Sequence, residues 1–254
     1  MGVIYEPAGA AREYSALACN LYSGCRHGCL YCYAPSCLRM TPEAFWSGGQ
    51  PRADIIRKLS AEAPSMSGCD RVLFCFTCDP YQPGDTTVTR DAMRICVDNG
   101  IPFQVLTKGG TRAARDIDIM QAGDAVFATT LIFDNDDLRR RWEPNAADCN
   151  DRASMICRAH RAGIPTWVSI EPVIDPDEAL KVMRRLDAVV DEWRIGKLNH
   201  HPHAKTVDWF AFGQRVAEFL SNTDTPYMVK DALQPFIPKG FATRRHGEAM
   251  GAAG

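Results

Sequence analysis

Residues 20–33 read NLYSGCRHGCLYCY and set Cys25, Cys29 and Cys32 in a C-x3-C-x2-C spacing. Thiolates so close in sequence suit an iron–sulfur cluster. A 4Fe–4S cluster usually takes four cysteines, so three leave one iron open to a substrate or cosubstrate. Structural zinc is the competing reading. It takes four ligands, usually from two short C-x2–4-C pairs, and Cys19 or Cys37 could complete such a set. The aromatic-rich C-x2-C-Tyr end of the run favours the cluster.

Eleven cysteines, an odd number, are scattered over 254 residues, and the start shows neither a basic n-region nor an apolar h-region. Reduced thiols in a cytoplasmic protein are therefore expected rather than a disulfide framework. A chain of this length that is 46% hydrophobic can bury the core of one barrel-sized domain. The formal charge of -2 excludes general adhesion to a nucleic-acid backbone, though not a local basic groove. Arg139-Arg140-Arg141, Arg184-Arg185 and Arg244-Arg245 read as solvated helix faces or tail. No stretch reaches the roughly 18 apolar residues of a membrane span. Walker, Gly-x-Ser-x-Gly and dinucleotide motifs are all missing from the sequence.

A reactive loop needs a scaffold, and the pattern supplies one. Short branched runs alternate with segments of helical period, the mark of repeated βα units around a parallel sheet. Six strands are expected, at Ala16–Asn20, Arg71–Phe76, Pro102–Thr107, Ala125–Leu131, Pro165–Ile170 and Ala188–Ile195. Helices are expected at Arg52–Ala63, Thr89–Asn99, Thr111–Ala122, Cys149–Ala162, Asp177–Leu186 and Thr206–Leu220. Gly100 and Gly163 cap two of them, and Pro102 and Pro165 block continuation. Six units are too few to close an eight-stranded barrel, so an open, partial (β/α)6 TIM barrel is expected in the α/β class. Ligands of such folds gather at the carboxyl ends of the strands. Residues 1–236 form the expected domain, and 237–254 read as a loosely ordered tail without chemistry of its own.

Tyr14, the run from Asn20 to Ala34, Asp79-Pro80-Tyr81-Gln82-Pro83, Thr107-Lys108 and Glu143-Pro144 together resemble the radical S-adenosylmethionine (SAM) proteins related to spore photoproduct lyase, a branch described as DNA repair photolyase-like. The resemblance implies that Cys25, Cys29 and Cys32 hold three irons and that the amino and carboxylate groups of SAM chelate the fourth. It places Tyr31 beside the adenine, with a plain hydrophobic plug as the alternative. Lys108 would face the SAM carboxylate through a charge-assisted bond, or else be a solvated surface lysine. Cys78 and Asp79 fall near the methionine amino group, and Thr129 or Thr130 would reach the ribose or carboxylate. The implied chemistry is one-electron cleavage of SAM to methionine and a 5′-deoxyadenosyl radical, which abstracts hydrogen from a substrate carbon. The cofactor carries the hard step, while the protein orients it and excludes water.

An electron donor such as flavodoxin or ferredoxin is the implied partner, and a nucleic-acid base or nucleotide the implied substrate. A peptide or small metabolite is the nearest alternative, since one fold hosts many reactions. A non-catalytic zinc or iron–sulfur module is the reading from another class. One departure matters. Aligning Thr77-Cys78-Asp79 on the lyase's Thr-Ser-Asp puts Phe76 where that enzyme keeps its hydrogen-donating cysteine. Alternation along a strand would turn Cys75 away from Phe76. Cys78 is left as a donor, a cosubstrate contact or a small packed residue.

The run Gly196-Lys197-Leu198-Asn199-His200-His201-Pro202-His203 follows the sixth expected strand. Its histidines suit a metal, an acid–base group or simply a polar loop. Lys197 would contact the cosubstrate or an anionic substrate group. Glu143 and Glu171, each before a proline, would fix loops or bind the ribose.

Overall fold

Short branched and aromatic runs become buried strands here because polar residues and glycines bound them and amphipathic helices cover them. The computed structural model describes residues 2–245. Its strands are β1 (Ile4–Tyr5), β2 (Leu17–Cys19), β3 (Tyr22–Ser23), β4 (Gln50–Pro51), β5 (Val72–Phe74), β6 (Phe103–Thr107), β7 (Ala125–Thr130), β8 (Thr166–Ile170), β9 (Glu192–Ile195), β10 (Tyr227–Val229) and β11 (Arg244–Arg245). Nine of them form one sheet in the order β1-β2-β5-β6-β7-β8-β9-β10-β11. From β2 to β10 every neighbouring pair is parallel. β1 and β11 pair antiparallel at the two edges.

The helices are α1 (Ala34–Cys37), α2 (Pro42–Trp46), α3 (Ile55–Glu62), α4 (Thr87–Asp98), α5 (Ile117–Ala122), α6 (Asp136–Trp142), α7 (Cys149–Arg161), α8 (Pro176–Leu186) and α9 (Trp209–Ser221). Side chains of Asn135, Asp148, Asp175 and Asp208 accept from first-turn amides of α6, α7, α8 and α9, and so define where those helices begin. α8 buries Ala179, Leu180, Val182, Met183 and Leu186, a single stripe at helical spacing. The covered face of the sheet and the helices share one core, in which Phe74, Phe103, Phe127 and Trp193 are fully buried. Leu73, Val126, Ala128 and Trp167 form a second cluster, against which Tyr14, Phe76 and Leu106 pack.

All six expected strands are present, and the expected parallel α/β scaffold is observed. Five details differ. A seventh parallel strand, β10, extends the sheet beyond β9. The strand expected over Arg71–Phe76 ends at Phe74, and the one expected from Ala188 starts at Glu192 after a 3-10 turn at Asp187–Val189. The helix expected from Thr111 is a 3-10 segment, Gly110–Asp116, continued by α5. Residues 237–245 are not a loose tail: Phe241 stacks on Tyr227 with centroids 6.0 Å apart, and β11 pairs with β10. The remainder of that expected tail, 246–254, lies outside the described residues.

Candidate active site

Successive parallel strands deliver one functional segment each to the same rim. β2 leads into the cysteine loop, β5 into Cys75–Asp79, β6 into Lys108, β8 into Glu171, β9 into Lys197 and β10 into Lys230. A cavity of about 440 Å³ opens there, and all three loop cysteines line it.

The loop is pinned from several sides. β3 and β4 pair at its base, with Tyr22 opposite Pro51 and Ser23 opposite Gln50. The Cys25 amide donates to Phe45 O at 3.1 Å, and the Leu30 amide to Trp142 O at 2.9 Å. Gly24 enters the loop at φ 82°, and a Cβ there would stand 2.4 Å from Phe45 O. Only glycine fits that approach. Burial pushes the Cys29 thiol up to about 12, and raises Cys25 and Cys32 as well. Such thiols ionise when a bound cation supplies the compensating charge.

Tyr31 is held by a fully buried ion pair. Its hydroxyl donates to Glu143 Oε1, and Arg152 binds the other Glu143 oxygen. Both charged side chains are 0% exposed. Burial alone would raise the Glu143 carboxyl, but Arg152 and Lys108 outweigh it and hold the group below its ordinary value. Arg152 also donates to Ala147 O at 2.8 Å and Thr130 O at 2.9 Å, tying the pair to β7. Lys108 Nζ stands 5.7 Å from the Tyr31 ring centroid. Burial works against its charge, yet its neighbours Cys29, Glu143 and Asp79 outweigh that and keep its pKa raised.

The other expected residues divide into those facing the cavity and those turned away. Cys78, Thr130, Glu171 and Lys197 line it. Glu171 accepts from Tyr14 at 2.5 Å and from Lys230 at 2.7 Å. Lys197 Nζ lies 5.2 Å from the Trp209 ring and 4.9 Å from that of Phe236. Thr129 does not line the cavity: its hydroxyl donates to Thr107 O at 2.7 Å within the sheet. Asp79 reaches the cavity, but its carboxylate is engaged by the Tyr81 amide (2.8 Å), the Thr107 hydroxyl (2.6 Å) and the Lys108 amide (2.8 Å). It braces the β5 and β6 ends. Glu143 likewise faces Arg152 rather than the rim.

The strand ends at Phe74 and the chain bends, so Cys75, Phe76, Thr77 and Cys78 all border the cavity. Cys75 packs in the main core and Phe76 against the cluster of Leu73 and Trp167, so the two side chains do part as expected. Of the three clustered histidines only His200 lines it. His201 and His203 pack on Trp142 at 5.4 and 5.2 Å, and His203 Nε2 is 3.0 Å from Ile174 O.

The Radical SAM superfamily model matches residues 19–188. The chain belongs to that superfamily. Uncharacterized proteins of Mycobacterium tuberculosis H37Rv and Mycobacterium bovis are each 26% identical over 211 residues, covering 75% of this chain and 60% of theirs. The chain thus spans about 60% of the length of those curated relatives. Among solved structures, Streptococcus suis SuiB bound to S-adenosylmethionine aligns with a TM-score of 0.63 at 9% identity, over 85% of this chain and 51% of that one. Spore photoproduct lyase complexed with dinucleoside spore photoproduct gives 0.59 at 14% identity, over 86% and 65%. At these identities the likeness is one of fold.

Radical SAM proteins use a 4Fe–4S cluster with SAM, and the donor set here fits that group. Cys75-x2-Cys78 is a second C-x2-C, the feature a four-cysteine zinc site with Cys29 and Cys32 would use. Cys25, Cys29 and Cys32 border one cavity, as three ligands of one cluster must, whereas Cys75 and Cys78 pack within the main core.

Three buried residues here escape the sequence reading. His27 lies inside the loop, Arg152 on α7 holds Glu143, and Lys230 reaches Glu171 from the end of β10. The carboxyl-end rule would have pointed to Lys230 had the three-residue β10 been legible. Among the described residues, no helix is long and apolar enough to cross a membrane.

Proposed function

We propose that this chain is a radical SAM enzyme that abstracts hydrogen from a nucleic-acid base or nucleotide, in repair or modification. The observation that carries the proposal is one cavity shared by Cys25, Cys29 and Cys32, the braced Tyr31 and Lys108. The three thiolates hold the cluster. When bound and reduced by a flavodoxin- or ferredoxin-type donor, the cluster supplies the electron that cleaves SAM.

The chain's own residues position the reactants. Tyr31 offers a ring face to the adenine. Lys108 meets the SAM carboxylate, while Thr130 and Glu171 lie within the same cavity for its ribose side. Cys78, 9% exposed on the wall, is the proposed hydrogen donor that completes the product. Tyr14, Tyr33 and Phe76 with Lys197 combine aromatic faces and a cation without an acidic partner among the described residues. Stacking and one charge are what an unstacked base with its phosphate requires.

A peptide substrate is the second reading. The observation that favours it is the alignment with SuiB bound to precursor peptide SuiA, at a TM-score of 0.63.

The test is 5′-deoxyadenosine formation by anaerobically reconstituted protein with SAM and dithionite, beside Cys29→Ala. Product that requires Cys29 and rises with short single-stranded oligodeoxynucleotides supports the proposal, and that stimulation should weaken with salt. Stimulation by peptides alone moves the substrate to the second reading. No product from protein with a full cluster, under any of these additions, refutes both substrate readings and leaves a strictly substrate-gated enzyme or a non-catalytic binding module.

A further inference from the structure

His27 sits between the first two cysteines of the loop, 1% exposed, on the wall of the cavity. Neither ring nitrogen has a hydrogen-bond partner among the described residues. In either protonation state an imidazole carries at least one N–H, and native interiors rarely leave such a donor unpaired. The nearest charged acceptor is Asp79. Its Oδ2 is 3.4 Å from Nε2, too poorly aligned for a hydrogen bond, and that carboxylate already accepts from three donors.

The backbone that carries the ring is held in place. The Asn145 amide donates to His27 O at 3.0 Å, and Asn145 Nδ2 to Arg26 O at 3.0 Å. Gly28 follows at φ 69°, where a Cβ would stand 3.3 Å from Pro144. The backbone on both sides of the imidazole is fixed against residues 144–145. Among the acceptors that border the same cavity are the sulfurs of Cys25 and Cys29, which flank His27 in the loop, and of Cys32.

We propose that His27 donates its ring N–H to a sulfur of the 4Fe–4S cluster and thereby raises the cluster's reduction potential. The inference rests on the cluster reading above. Reduction adds a negative charge to the cluster, and an N–H dipole aimed at sulfur stabilises that form more than the oxidised one. Hydrogen bonds to the sulfurs are among the factors that set such potentials. His27 thus acts on the cofactor directly, through its sulfur shell, and biases the electron's arrival.

The test uses the wild-type chain with His27→Phe, His27→Leu and His27→Gln, all reconstituted anaerobically. Iron and sulfide are counted, and the midpoint potential is read by EPR-monitored titration without cosubstrate. Wild type should hold about four irons. Phe keeps a flat ring without a donor, and its one-electron equilibrium should shift about tenfold against reduction, a fall of about 59 mV. Leu should behave alike and carries the comparison if Phe does not assemble. Gln, which restores an N–H, should recover part of the shift. A fully loaded Phe or Leu protein with the wild-type potential overturns the proposal. Wild type that takes up no iron overturns the cluster reading itself, a visibly different failure.

Discussion

Replacing Arg152 by Met tests whether a buried ion pair braces the Tyr31 side of the cavity. Arg152 fills its site with no exposure, pairs with Glu143 and satisfies two backbone carbonyls. Methionine keeps much of the volume but leaves a buried carboxylate without its main counter-charge. Breaking such a pair typically costs ~3–5 kcal/mol. An independent route gives the same size. A carboxyl raised ~3 units by uncompensated burial costs about 3 kcal/mol at neutral pH, since at about 1.4 kcal/mol per unit only the span between its ordinary value and neutrality counts.

The pH dependence follows with a definite sign. In the wild type the folded-state value of Glu143 is depressed, so its contribution is present above the ordinary carboxylate range and is lost only as pH falls through that depressed value. In Arg152→Met the value is raised instead, and protonation relieves the folded state as pH falls from neutrality. The stability gap should therefore shrink by about 1.4 kcal/mol per pH unit below the raised value. Urea denaturation at neutral pH and at about pH 5 reads both quantities. A gap below about 1 kcal/mol at neutral pH, or one equally wide at both, would refute the reasoning, which builds on the buried-pair cost.

Two further outcomes are expected beside those for Cys29 and His27. Lys108→Met should weaken SAM binding about tenfold to a hundredfold, the worth of ~1.5–3 kcal/mol for a bond to a charged group, with iron content unchanged. Calorimetric titration of the loaded protein reads this, and an unaltered affinity would remove Lys108 from the cosubstrate site. On the surface, hydrogen bonding to Arg90 depresses the Asp118 carboxyl to about 2. Its contribution is present above the ordinary carboxylate value and fades as pH falls through about 2. Since Asp118 is 62% exposed, Asp118→Asn should cost under about 1 kcal/mol. A larger loss in thermal denaturation would contradict solvent screening.

The cysteine spacing, the βα alternation and the segments that end strands were legible because local physics writes them. Ligand spacing, turn residues and hydrophobic period act over a few positions. Hence Cys25, Cys29, Cys32 and Lys108, each in a segment that follows the end of a strand, share one rim. What stayed hidden depends on partners distant in sequence. Glu143 looks like a rim carboxylate until Arg152 turns it inward. Thr129 looks available until Thr107 O, 22 positions away, takes its hydroxyl. Asp79 is spent on three donors from its own turn and from β6. Lys230 enters the site on a strand of three residues, too short to show a period, that sheet pairing alone creates. His27 carries no signal beyond its place in the loop; only burial with both nitrogens unpartnered reveals it. The cysteine loop and the parallel scaffold could be read along the chain, since both rest on near-neighbour chemistry. Which polar groups face the cavity and which brace it could not, because that choice is made by side chains that meet only when the sheet closes around them.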